Sequence, residues 1–168
     1  MRAVAAILTI GTVWSVLSAQ PAKAQSQVAV TYVESSRKWK YGMNSRPYDK
    51  ISKDIQGLLI QKLAAKGWTS VDTLTGSCCK VVIEVVEVSE HMAAFGKPGI
   101  DMVVTFGVRD AGGRQVYSKT CRGESRALGP HTWGGLVDIA AKNLVDEALK
   151  EDDLIKALAG PRDETASR

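Results

Sequence analysis

Three cysteines and two histidines are the residues of this chain best suited to chemistry. Cys78 and Cys79 are adjacent, and Cys121 stands alone. In an oxidising compartment a pair at this separation forms a structural disulfide and leaves one thiol over. A ring between adjacent cysteines is strained, so the bridge runs from Cys121 to Cys78 or Cys79, with Cys79–Cys121 the expected pair. It would close a loop of about forty residues and contribute ~3–4 kcal/mol. The remaining thiol is either buried or links two copies. Metal binding is the alternative use of these cysteines, with His91 and Met92 a strand away. The tight C-x-x-C or H-x-x-x-H spacing of metal sites is missing, so neither a metal nor a cofactor is expected.

An enzyme needs a nucleophile beside a base, or paired carboxylates in a pocket. His91 falls in the loop 89–99 and His131 in a Gly/Pro-containing loop, and both read as exposed loop histidines. Glu84 and Glu87 read as solvent-side acids of one strand. Cys121 with His91 or His131 is the remaining thiol arrangement. There is no G-x-S-x-G, phosphate loop or dinucleotide glycine pattern, and Gly112-Gly113-Arg114 is a turn. The chain does not read as an enzyme.

The aromatic residues fit recognition better. Trp39 and Tyr41 lie in one long connection, His131 and Trp133 in another, and Phe95 near Met92 at a hairpin tip. Aromatics with arginine in loops are the usual anchors of recognition surfaces. Trp39, Tyr41, Phe95, His131 and Trp133 are therefore the candidate partner contacts. The competing reading of the two tryptophans is that they cover the ends of a sheet.

These residues must be positioned by a small domain. Residues 1–24 have the pattern of a cleavable secretory signal: Arg2, an apolar run from Ala3 to Leu17, and Ala22-Lys23-Ala24 as the cleavage site. The run is shorter than the ~20 residues of a membrane span, and no second run follows. With no cysteine at the cleavage site, lipid attachment there is unavailable. The mature chain is expected in the periplasm or secreted, with no transmembrane span. Cleavage leaves 144 of the 168 residues, enough for one domain. The charge of +4 falls to about +2, because Arg2 and Lys23 leave and no acid does. So mild and scattered a charge excludes nucleic acid as the expected partner.

Residues 27–34 alternate as a short strand. Asn44 or Ser45 is a candidate helix cap, with Pro47 in the first turn. Tyr48, Ile51, Ile55, Leu58, Leu59 and Leu63 then mark a helical stripe. Lys66 and Gly67 end that helix, and Trp68–Val71 is a short extended piece. Residues 79–88 form an apolar strand, 100–109 an alternating one, Asp110–Gly113 a turn, and 115–122 a further strand. Thr132 caps a helix carrying Leu136, Val137, Ala140, Leu144, Val145, Ala148 and Leu149, and a short helix follows Asp152 or Asp153. The tail 161–168 is too polar to pack. The expected order β-α-β-β-β-α makes an α+β two-layer sandwich: a four-stranded mixed sheet with two helices on one face, spanning 25–160. The first two strands should be parallel, joined by a right-handed crossover. In a simple meander Cys79 and Cys121 lie ~10 Å apart across an intervening strand, so their disulfide requires a shuffled strand order.

The helix close Leu63-Ala64-Ala65-Lys66-Gly67-Trp68 is similar to that of several small bacterial envelope families. The hairpin carrying Val103, Thr105, Val108, Arg109, Asp110, Gly113 and Arg114 also resembles theirs. These families include uncharacterised lipoproteins, domains of unknown function of the same plan, and lipopolysaccharide-assembly and transport-auxiliary lipoproteins. The resemblance spans residues 27–159. It implies a non-catalytic binding or assembly role in the cell envelope, with an envelope protein as partner, and carries over no site residue. Self-assembly as a homodimer through a strand edge is the alternative, followed by a thiol or metal-binding protein.

Overall fold

The computed structural model describes residues 26–41, 44–71, 79–93, 97–126 and 132–160. The expected signal segment, the C-terminal tail, Cys78, Phe95 and His131 lie outside the described residues.

Among the described residues, seven strands and three helices make a mixed α+β fold. In chain order they are β1 (Ser26–Tyr32), β2 (Lys38–Tyr41), β3 (Asn44–Pro47), α1 (Tyr48–Ala65), β4 (Trp68–Ser70), β5 (Cys79–Ala93), β6 (Lys97–Arg109), β7 (Gln115–Arg126), α2 (Trp133–Lys150) and α3 (Asp153–Ala159). The main sheet has the order β4-β1-β5-β6-β7, and β2 with β3 forms a separate hairpin. As expected, β1 runs parallel to β5, and β5-β6-β7 is an antiparallel meander. The extended piece after α1 adds a fifth strand, pairing Trp68–Ser70 in parallel with Ser26–Val28.

Burial follows the two-residue period of a strand. Along β6, Ile100, Met102, Val104, Phe106 and Val108 are buried, while Asp101, Val103 and Thr105 are partly exposed. Three helices cover the dry face. From α1 come Tyr48, Ile51, Ile55, Leu59 and Leu63; from α2, Leu136, Val137, Ala140, Ala141, Leu144 and Val145; and from α3, Leu154 and Leu158. Fully burying each Leu, Ile, Val or Phe contributes ~1.5–3 kcal/mol, so this shared core dominates the stability. The helix signals act where expected at two ends. Gly67 takes the left-handed φ of 89° after α1, and the Thr132 hydroxyl accepts the Gly135 N–H at 3.2 Å.

The start of α1 differs from the expected cap. Asn44 and Ser45 pair with Tyr41 and Lys40 in the β2–β3 hairpin, and Pro47 stands just before the helix with no side-chain cap. Pairing within residues 38–47 uses the backbone groups that a cap at Asn44 or Ser45 would have needed. The Tyr48 N–H is satisfied instead by the Arg37 carbonyl at 3.0 Å.

A second departure is a β-bulge in β5. Val85 pairs with Val104 and Glu87 with Val103, leaving Val86 as the extra residue. The bulge reverses the alternation, so Val81, Ile83 and Val85 face inward before it and Val88 faces inward after it. Two side chains anchor it: Arg37 donates to the Val86 carbonyl at 2.7 Å, and the Tyr48 hydroxyl accepts the Val88 N–H at 3.1 Å.

The strand order is not shuffled, and the Cys79–Cys121 disulfide is corrected on that ground. Cys121 lies opposite Val104, which lies opposite Val85. Cys79 is therefore six residues further along β5, about 20 Å by strand rise and another ~10 Å across two strand spacings. A disulfide needs Cα atoms within ~7 Å. Cys121 is a free thiol buried in the core, and that burial pushes its pKa up.

Two glycines test the packing of α1 and α2. A Cβ at Gly123 would stand 2.3 Å from the Ala140 carbonyl oxygen of α2, whereas one at Gly57 would meet nothing within 4 Å. Gly123→Ala is expected to cost ~1–3 kcal/mol or more by forcing α2 off β7. Gly57→Ala should stabilise by ~0.5–1 kcal/mol, through helix propensity and a less free unfolded chain. Urea unfolding of the two variants measures both.

Candidate functional site

Two surface features stand out, one at the aromatic corner and one on the open face of the sheet. Alternation in β2 puts Trp39 and Tyr41 on one side of the strand, and the start of α2 brings Trp133 to them. The Trp39 and Tyr41 rings stack with centroids 4.4 Å apart, and Trp133 meets each at 6.3 Å. Three of the five expected contact residues, drawn from two distant connections, thus form one cluster. Trp39 is only 5% exposed and belongs to the core. It supports the corner from beneath, while Tyr41 and Trp133, half-buried, carry the accessible surface.

Arg46 holds this corner to the helices. It sits opposite Trp39 in the hairpin. Its guanidinium reaches Asp54 of α1 at 2.5 Å, Asp138 of α2 at 2.9 Å, and the Gly134 carbonyl at 3.3 Å. Burial opposes the Arg46 charge, and the two carboxylates outweigh it, raising its pKa above the ordinary value. Beyond Arg46, the seam between α1 and α2 opens into a groove of about 500 Å³ lined by Lys53, Leu58, Gln61, Ala141 and Lys142. Its floor is apolar and its rim carries both signs of charge.

The open sheet face carries a second group. His91 of β5, Asp101 of β6 and Glu124 of β7 converge there. His91 Nδ1 is 3.4 Å from Asp101 Oδ2, and Nε2 is 3.7 Å from Glu124 Oε1. Arg122 binds Asp101 at 2.7 Å, and Arg126 binds Glu124 at 3.0 Å. The imidazole lies over Gly99, where a Cβ would come within 2.4 Å of Nε2. The reading of His91 as a loop residue is corrected: it is a strand residue paired with Gly99.

This placement removes the Cys121–His91 thiol arrangement, because Cys121 faces the core and His91 the opposite face of the sheet. Glu84 and Glu87 are exposed, as expected of solvent-side acids. The grouping of His91, Asp101 and Glu124 was not visible in the sequence, since 91, 101 and 124 follow no local spacing. Arg46 carried no signal either, its partners being 8 and 92 residues away.

No protein-family model matches the sequence, and no curated protein is similar to it in sequence. Solved structures share its fold. A Xanthomonas campestris protein of the family DUF330 is 14% identical over 82% of this chain and 90% of its own, with a TM-score of 0.56. A minor lipoprotein from Acinetobacter baumannii is 13% identical over 79% of this chain and 95% of its own, at 0.50. The PelC dodecamer from Paraburkholderia phytofirmans is 17% identical over 77% and 90%, also at 0.50. The chain therefore shares the fold of these domains, as the helix close and hairpin suggested. Among the described residues, no helix is long and apolar enough to cross a membrane.

Arg46→Ala is expected to cost ~1–2 kcal/mol, since each of its pairs involves a half-exposed carboxylate and contributes ~0.2–1 kcal/mol. Lysine should restore the loss only in part: Nη2 alone meets both carboxylates, but Nη1 meets the Gly134 carbonyl, and a single ammonium cannot occupy both positions. Chemical denaturation gives the energies, and tryptophan fluorescence reports whether Trp39 and Trp133 separate.

Proposed function

We propose that this protein is a non-catalytic binding or assembly accessory of the bacterial cell envelope, working in the periplasm or outside the cell. The observation that carries the reading is the meeting of Tyr41 and Trp133 on a buried Trp39, beside the groove between α1 and α2. Rigid aromatics on a fixed base present apolar area with little loss of side-chain freedom, as protein-binding anchors do. The secretory pattern of residues 1–24 and the fold shared with a minor lipoprotein of Acinetobacter baumannii support the location. His131, next to Thr132 in the sequence, and Phe95 are proposed as further contact residues.

Assembly with further copies of the same chain is the second reading, favoured by the dodecameric state of the similar PelC structure. Both readings are tested by a photo-crosslinking residue placed at Tyr41 and, as a control, at Thr105 on the open sheet face, in cells that make the protein. The proposal expects a discrete adduct from position 41 and none from 105. It also expects Trp133→Ala to weaken the adduct at least about tenfold, ~1.4 kcal/mol. An adduct with a different envelope protein supports the first reading, and one of twice the chain mass supports the second. No adduct at 41, or equal adducts at 41 and 105, contradicts both.

A further inference from the structure

We propose that His91, Asp101 and Glu124 bind one divalent transition-metal cation on the open face of the sheet. Each contributes one ligand atom, and the three atoms lie within 4.8 Å of one another. They come from three adjacent strands whose register is set by the meander, so their backbone positions are rigid. Ligands about 2.1 Å from a tetrahedral ion stand roughly 3.4 Å apart, close to the His91–Asp101 separation of 3.4 Å. Glu124 Oε1 lies nearer the other ring nitrogen, 3.7 Å from Nε2, so an ion on Nδ1 requires the half-exposed Glu124 side chain to turn toward Asp101.

His91 itself is the second observation. Its Nδ1 is buried and faces Asp101 Oδ2 at 3.4 Å without an aligned hydrogen bond, an arrangement that ordinarily costs free energy. The ring is nonetheless held between two carboxylates, in a hollow that exists because residue 99 has no side chain. A cation bound through one imidazole nitrogen gives that arrangement a partner.

The flanking arginines shape the site. Arg126 reaches one oxygen of Glu124 through both Nε and Nη2, and Arg122 grips Asp101. Such partners orient ligating carboxylates, but their charge also competes with the ion. Affinity is therefore expected to be on the order of micromolar rather than picomolar. The imidazole selects ions such as Zn²⁺ and Co²⁺ over Mg²⁺ and Ca²⁺, which prefer all-oxygen shells. A bound ion would staple β5, β6 and β7 where they extend past the end of β1.

Calorimetric titration of Zn²⁺ into the purified, fully reduced protein tests the site. The expected result is one ion per chain, binding weakened at least about tenfold by His91→Ala and by Glu124→Gln, and unchanged by Cys121→Ser. Retention of full affinity in His91→Ala, loss in Cys121→Ser, equal competition by Mg²⁺, or no binding at all would each overturn the proposal. Should a variant fail to fold, the unaltered protein decides the matter by NMR. Zn²⁺ must then shift the ring nitrogens of His91, and unmoved His91 signals at saturating metal overturn the assignment.

Discussion

The structure turns on the extra residue at Val86. A regular β5 would send 81, 83, 85, 87, 89 and 91 to one face, which would put His91 on the dry face. One inserted residue resets the alternation, so Val88 faces the helices while Ser89 and His91 face the open side. The bulge costs ladder hydrogen bonds, and two side chains offset that loss. Arg37 takes the Val86 carbonyl and Tyr48 the Val88 N–H, while the Arg37 guanidinium lies over the Tyr48 ring at 4.7 Å. The bulge, the loop before β2 and the first residue of α1 are thus one mechanical unit.

From that unit the rest is placed in turn. Tyr48 is both the anchor of Val88 and the start of the apolar stripe of α1. The hairpin preceding it brings Trp39 into the core and Arg46 over both helices. Arg46 does not stabilise the fold by charge alone, since its carboxylate partners are substantially exposed. Its contribution is geometric: a planar fork satisfies two helices and a backbone carbonyl from one point, fixing the hairpin relative to the α1–α2 seam.

Much of this architecture was legible in the sequence, for local reasons. The three-and-four spacing of Ile51, Ile55, Leu59 and Leu63, the stop at Gly67, the Thr132 cap and the Asp110–Gly113 turn all act within a few residues. The order of the meander followed from those turns. The β2–β3 hairpin was less legible, because its four-residue strands are too short for alternation to separate from loop composition. β4 was legible as an extended piece, but three residues gave no sign that they join the sheet beside β1. The bulge left no signal, because Val85, Val86 and Val88 are chemically alike and only pairing with β6 tells them apart. The convergence of His91, Asp101 and Glu124 depends on that bulge and was invisible for the same reason. The aromatic corner was half legible: the residues were recognisable as anchors, but only the fold shows that Trp39 lies underneath.

The domain thus has two unlike surfaces: an aromatic corner held by Arg46, and an open sheet face whose polar groups owe their position to one bulged residue. The place of His91 on that open face is a consequence of β5 changing face at Val86, and that change can be observed directly. Nuclear Overhauser contacts from the His91 ring in the isotopically labelled protein are the most direct measurement. The account predicts contacts to the Gly99 α-protons and to the Asp101 and Glu124 side chains. Contacts to the methyl groups of Val88, Ile100 or Leu144 instead would place the ring on the dry face and contradict it.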